Sequence, residues 1–202
     1  MCSVIDFNKI EKYVKDLMSR IVKENGHYHN LNHTLEVLDV SYQISLAENI
    51  SSDEIEIIKI AAWFHDTGYV VGCEGHEKQS ALYAKDYLMN ESYPEDRIEL
   101  VSGCINATKI PQSPKNKIEE IICDADLHHL GLPSSEARAE LLRQEIELLK
   151  NITFTDKEWF SLSVNFLKQH KYFTNYAKER YGYQKEINLR DLENRLMKLV
   201  ES

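Results

Sequence analysis

Three short stretches carry polar residues with metal-ligand chemistry into otherwise apolar surroundings: Tyr28-His29-Asn30-Leu31-Asn32-His33, Trp63-Phe64-His65-Asp66-Thr67-Gly68 and Cys123-Asp124-Ala125-Asp126-Leu127-His128-His129. The middle stretch is the most telling, because a His and an Asp stand side by side at the end of an apolar run. An unpaired carboxylate buried there would cost several kcal/mol, on the order of the penalty for any uncompensated buried charge, so it needs a partner. A cation is the economical partner. His65, Asp66 and the other two stretches offer a mixed nitrogen and oxygen set suited to a borderline or hard divalent ion. Taken singly, each has an ordinary explanation: His33 as a hydrogen-bonded core histidine, Asp126 as a helix-terminal carboxylate, His65-Asp66 as a chance pair. Only the joint pattern of a His, an adjacent His-Asp and a distant Asp points to a site.

These residues must be positioned by helices. Seven Gly and four Pro in 202 residues leave little turn chemistry for a many-stranded sheet. Leu31, Leu35, Leu38 and Tyr42 recur at helical intervals, as do Ile55, Ile58, Ala62 and His65. Ser51 three residues before Glu54 predicts a capping box, with Gly68 placed to end the helix it starts. Further starts are expected at Ser92-Tyr93-Pro94-Glu95, at Ser113-Pro114 with Pro in the first helical position, and at Thr155-Asp156-Lys157-Glu158. Ile110-Pro111-Gln112-Ser113-Pro114 is a loop between helices. Leu189, Leu192, Leu196 and Leu199 form a closing stripe that predicts a core-facing terminal helix, with a homodimer contact as the alternative. The expectation is an all-α chain folded as a single domain over 1-202, its motifs within about 25-150 and C-terminal helices over 151-202.

Hydrophobic residues make up 43% and charged residues 28%, ordinary for a globular protein. The formal charge of −9, with no basic patch, argues against a nucleic-acid polymer as partner. A small phosphorylated ligand is compatible, since a bound cation supplies local positive charge. Cys2, Cys73, Cys104 and Cys123 form no CxxC pair and read as free thiols. With no export signal and no apolar run of the ~20 residues that cross a bilayer, a cytoplasmic location and no membrane in this chain are expected.

The order H…HD…D resembles the HD superfamily of metal-dependent phosphohydrolases. The surrounding words, Tyr28-His29-Asn30 with His33-Thr34, Ala61 to Tyr69, Gly75-His76-Glu77 with Ser80-Ala81, Asn106-Ala107-Thr108, and Asp124-Ala125-Asp126-Leu127 with Leu130-Gly131, are similar to a bacterial predicted HD phosphohydrolase group. A narrower similarity is to the HD domain of candidate Pycsar-type antiphage effectors, where a membrane-helical segment follows. The resemblance spans about residues 25 to 150. It implies an HD-domain helical bundle with peripheral helices, and a metal set of His33, His65, Asp66 and Asp126 with open positions for water and substrate. The cofactor is then a divalent ion such as Mn, Mg, Fe, Co, Ni or Zn. The substrate is expected to be a small nucleotide, as a phosphomonoester or phosphodiester.

In such a site Asp66 helps orient the nucleophile, and cationic or donor side chains should surround the metal mouth. Candidates are His29, Lys78, Lys109 and His129. His29, four residues before His33, would share its face if both are helical, or would sit in the turn before the helix; a phosphate contact or general acid is its expected role. His76 and Glu77 are candidates for water activation or leaving-group protonation. Of His128 and His129 one should point away from the face Asp126 uses, onto the surface. Two-metal members of the superfamily that the sequence resembles place extra histidines after the HD pair, and related sequences often have one shortly after the Ala-Thr word; Ala107-Thr108 is followed by none, so the resemblance implies one metal per chain, with His76 the only obvious contributor to a second. Lys168 to Tyr176 is an aromatic and basic stretch, readable as a nucleotide clasp or as an amphipathic helix end. Two other functions fit the scaffold: a regulatory HD module that binds nucleotide or metal without turnover, and a di-iron oxygenase, which needs more histidine ligands.

Overall fold

The computed structural model describes residues 5–22 and 28–201 of the chain. Among these the architecture is all-α: α1 (Phe7–Val22), α2 (Leu31–Ala47), α3 (Ser52–Phe64), α4 (His76–Asn90), α5 (Glu95–Ala107), α6 (Lys117–Asp126), α7 (Ser135–Lys150), α8 (Asp156–Gln169) and α9 (Asn175–Glu201). Short 3-10 turns at Thr67–Val70 and His128–Gly131 follow α3 and α6.

The middle of the bundle is α3, which packs against α1, α2, α4, α5 and α6. Its sequence explains the place: Ile57, Ile58, Ile60, Ala61, Ala62, Trp63 and Phe64 are all buried, so the helix is apolar around most of its circumference. Ser51 caps its start, accepting from the Glu54 amide while Glu54 reaches back to the Ser51 amide. The same device starts α8, between Thr155 and Glu158. Helix α9 packs along α8 and against the turn that follows α6, closing a second small cluster of Leu127, Leu130 and Leu167 with Phe166, Leu189 and Leu192.

Several expectations are corrected in detail. The inward face of α2 is His33, Thr34, Val37, Val40, Ser41, Ile44 and Ser45, while Leu35 and Tyr42 are exposed and Leu31 and Leu38 pack only partly against the core. Helix α6 starts at Lys117 behind an Asn116 cap rather than at Pro114. Gly68 lies beyond α3, which ends at Phe64, and its need for glycine is steric: a Cβ there would meet the His76 carbonyl oxygen at 2.0 Å. Of the closing stripe, Leu189 and Leu192 pack inward, but Leu199 is exposed.

The Lys168 to Tyr176 stretch is mainly structural. His170, Tyr172 and Thr174 are buried, and Asp124 gathers the Phe173 and Thr174 amides and the Thr174 hydroxyl, pinning the α8–α9 joint to α6. Cys73, Cys104 and Cys123 are free; Cys2 lies outside the described residues. Among the described residues no helix is long and apolar enough to cross a membrane.

Candidate metal centre

His33 enters from the first turn of α2, whose Asn30 cap accepts from the Asn32 and His33 amides. His65 and Asp66 come from the end of α3. Consecutive side chains on a continuing helix diverge by about 100°, but α3 stops here, with Asp66 leaving at φ −106, ψ 3, so both neighbours reach one point. Asp126 is the last residue of α6.

The ligand atoms of His33, His65 and Asp66 all lie within 4.8 Å of one another. His65 Nε2 is 2.9 Å and His33 Nε2 3.3 Å from Asp66 Oδ2, and the two Nε2 atoms are 3.3 Å apart. Asp126 Oδ1 joins at 3.1 Å from His33 Nε2 and 3.7 Å from His65 Nε2. Ligands bonded at ~2.0 to 2.2 Å around a tetrahedral or octahedral ion stand roughly 2.8 to 3.6 Å apart, so these spacings match one shared cation.

Chemistry of the donors agrees with that fit. The His65 Nδ1–H donates to the Ala62 carbonyl at 2.9 Å, which leaves the Nε2 lone pair facing the cluster. Asp66 Oδ2 is buried without a hydrogen-bond partner among the described residues, as is His33 Nδ1. Burial alone would depress His33, yet Asp126 and Asp66 beside it push it up to about 10. Burial likewise opposes the charge on Asp66 and Asp126, but the facing histidines hold both carboxyls below their usual range. A proton and a metal ion would compete for the same electron-rich point.

The other expected residues divide. His76, from the start of α4, brings Nε2 to 3.5 Å from Asp66 Oδ1, its Nδ1–H held by the Cys73 carbonyl. Glu77 is buried next to it, its Oε2 3.7 Å from His76 Nδ1. His29 stands in the turn before α2 and stacks on Tyr69, ring centroids 3.9 Å apart; Tyr69 in turn lies 4.1 Å from the His76 ring. His129 also lines the cavity, with the Tyr28 hydroxyl 3.0 Å from its Nδ1, and burial followed by the charge of His33 pushes it down to about 3, so it is a neutral group. His128 does not reach the surface. It is buried against Tyr181, its Nδ1–H donating to Ala125.

Two expected phosphate contacts are displaced. Lys78 lines a separate cleft between α4 and α5 with Lys85, Glu95 and Glu99, because its position on α4 turns away from the His76 and Glu77 side. Lys109 is exposed, and its neighbours Thr108 and Ile110 line the cavity instead.

Glu145 was not anticipated. It is buried on α7, accepts the Tyr28 amide at 2.9 Å and the His29 amide at 3.0 Å through Oε2, and bonds His29 Nδ1 through Oε1. The signal available was its helical position between Leu142 and Leu149, a carboxylate within an apolar stripe. Tyr69 gave no such signal.

Asp66, Asp126, Tyr28, His29, Tyr69, His76, Glu77 and His129 open on one cavity of about 900 Å³ that is also lined by residues of α7, α8 and α9. The HD domain family model matches residues 30–154, from the α2 cap through α7. The chain belongs to the HD domain family, the helical class of metal-dependent phosphohydrolases. Three solved structures share the fold at low identity. A Lactobacillus plantarum protein matches at 12% identity and TM-score 0.70, covering 98% of this chain and all of that one. Bacillus subtilis YpgQ, solved in complex with ADP, matches at 18% and 0.64, covering 94% and 95%. A predicted HD superfamily hydrolase from an uncultured Thermotogales bacterium matches at 16% and 0.54, covering 94% and 99%. No curated protein matches the chain.

Proposed function

We propose that the protein hydrolyses a phosphate ester of a small nucleotide with a divalent ion held by His33, His65, Asp66 and Asp126. The observation that carries this reading is the convergence of those four side chains, 2.9 to 3.7 Å apart along the contacts above, with Asp66 and Asp126 lining a large cavity. Bound there, a divalent cation supplies Lewis acidity, acidifying water and neutralising charge on a phosphoryl oxygen. Around it the chain contributes proton handling and orientation. His76 Nε2, at the far oxygen of Asp66, is placed to pass a proton to or from a nucleophile that Asp66 orients. His29, with Nδ1–H engaged by Glu145, presents the Nε2 lone pair on the Tyr69 stack, the position from which a proton can be taken from an O–H in the cavity. Neutral His129 and the Tyr28 hydroxyl, bonded to each other, leave the pair one free donor without adding charge. Support for a nucleotide is the cavity's size and the ADP bound by the similarly folded YpgQ.

The test is phosphate release with Mn²⁺ from a panel of nucleoside monophosphates, cyclic nucleotides and pyrophosphorylated nucleotides, in the parent and in Asp66→Ala. Release that Asp66→Ala abolishes is the expected result. Equal rates in both would remove the mechanism, and metal and nucleotide binding with no turnover of any ester would leave a regulatory module.

A further inference from the structure

We infer that the cavity selects nucleotides by charge as well as by shape: it takes a nucleotide with a single phosphate, base lodged among α7, α8 and α9, and disfavours the di- and triphosphates. This deepens, and rests on, the reading of the cavity as a nucleotide site.

The charge half of the argument comes from the walls. Besides Asp66 and Asp126, the cavity is lined by five carboxylates, Glu77, Glu136, Glu140, Asp156 and Asp191. Among the described residues its only lysine or arginine lining is Arg143 and Arg195. Both are already engaged. Arg143 bonds Asp156 at 2.8 Å, Glu147 at 3.2 Å and the Phe154 carbonyl; Arg195 bonds Glu136 and lies 4.7 Å over the Phe160 ring. One cation can neutralise a reacting phosphoryl group, but each further phosphate adds negative charge to a cavity whose walls already carry an excess of carboxylates over guanidinium and ammonium groups. Phosphate-chain enzymes hold such groups with dedicated cations or backbone cradles. Lys78 and Lys109, which could have served, are not among the residues that line it.

The shape half comes from the far limb. Trp159, Phe160 and Phe166 from α8, with Leu130 and Leu192, line it, and planar apolar surface of this kind favours a planar apolar guest. Ser135, Ser163 and Asp191 are set among them. An acyl chain would strip water from those polar groups without compensation, whereas the edge of a base can hydrogen-bond to them.

The experiment is calorimetric binding of AMP, ADP, ATP, inorganic phosphate and dodecyl phosphate to the full chain, with Mn²⁺ in excess of every ligand. AMP should bind at least tenfold more tightly than ATP, with ADP between. Glu140→Lys, at an exposed position where folding is insensitive, should narrow the AMP-to-ATP ratio at least threefold. Phe160→Ala should weaken AMP about tenfold and leave inorganic phosphate unchanged. ATP binding as tightly as AMP overturns the charge selection; dodecyl phosphate binding more tightly than AMP, or equal losses of AMP and phosphate in Phe160→Ala, overturns the base subsite. Because binding is read directly, a protein that ranks ligands in this order yet releases no phosphate would sink the hydrolase reading alone.

Discussion

Glu145 on α7 holds His29 in the turn before α2, across more than half of the chain, by its ring nitrogen and its backbone amide. An ionised carboxylate can only accept, so the His29 proton is fixed on Nδ1 and Nε2 is left as the free nitrogen. Glutamine at this position has a single acceptor oxygen and cannot satisfy three N–H donors. Glu145→Gln should therefore flip or free the His29 tautomer, visible as a change in its ring ¹⁵N shifts, and lower kcat by about 10²-fold with little effect on KM. Unchanged ring shifts would show that Glu145 serves only to anchor α7.

Much of this arrangement was legible from residue order. The H…HD…D pattern named the four side chains that converge, and the cap at Ser51 and the apolar run to Phe64 placed the central helix. What stayed hidden depends on helix rotation and on distant pairing. On α2 the leucines suggested one face, but Thr34, Ser41 and Ser45 are small enough to let neighbouring helices approach, and it is their side that is buried. Lys78 looked well placed because it follows His76 and Glu77, yet two residues along a helix point a different way. The resemblance singled out Asp126 rather than Asp124, but that Asp124 pins the α8–α9 joint depends on contacts about 50 residues away and only the fold shows it.

Asp124→Ala and Asp126→Ala should accordingly part company. Asp124→Ala leaves two amides and a hydroxyl buried without their acceptor and should cost about 2 to 4 kcal/mol in urea denaturation of the metal-free protein. Asp126→Ala leaves His33 without the carboxylate bonded to it, so it too should cost metal-free stability, but it alone should lower divalent metal affinity. Equal metal affinities in the two variants would contradict this division of labour.

Metal removal gives a related expectation. A cation that binds only the folded cluster stabilises it by about 2.7 kcal/mol at a hundredfold excess over Kd. Chelation should lower the Tm of the parent and leave that of Asp66→Ala unmoved. A chelator shift that persists in Asp66→Ala would place the bound ion elsewhere.

Gly68→Ala tests how closely α4 must approach the end of α3. The added methyl would collide with the His76 carbonyl, and the Gly68 amide, which donates to Ser80 Oγ at 2.8 Å, would be moved with it. Displacing the first turn of α4 carries His76 away from Asp66. We expect at least a 10²-fold loss of kcat, on the order seen for a lost general acid or base, with helical circular dichroism retained. Parent-like turnover would mean that His76 has no part in the reaction.

His170, outside the group of His33, His65, Asp66 and Asp126, sets an acid limit on stability. It caps α8 with its ring buried, both ring nitrogens lack partners among the described residues, and its carbonyl accepts from Lys185. Burial first, and then the charge of Lys185, pushes it down to about 3 from an ordinary 6.5. Below pH 6.5 the unfolded chain takes up a proton at this residue that the folded chain refuses until about pH 3, so the unfolded state binds more protons and stability falls with pH across that window. One such proton is worth about 1.4 kcal/mol per pH unit, or roughly 2 to 3 kcal/mol between pH 6.5 and 4.5. Phenylalanine keeps the ring that packs edge-on against Tyr172 and cannot titrate. Urea denaturation at pH 7 and 4.5, with chelator present so that metal loss affects both proteins alike, should show His170→Phe losing about 2 kcal/mol less than the parent on acidification. Parallel losses in the two proteins would mean that His170 is protonated in the folded state at pH 4.5, through a partner or solvent access that its buried position does not provide.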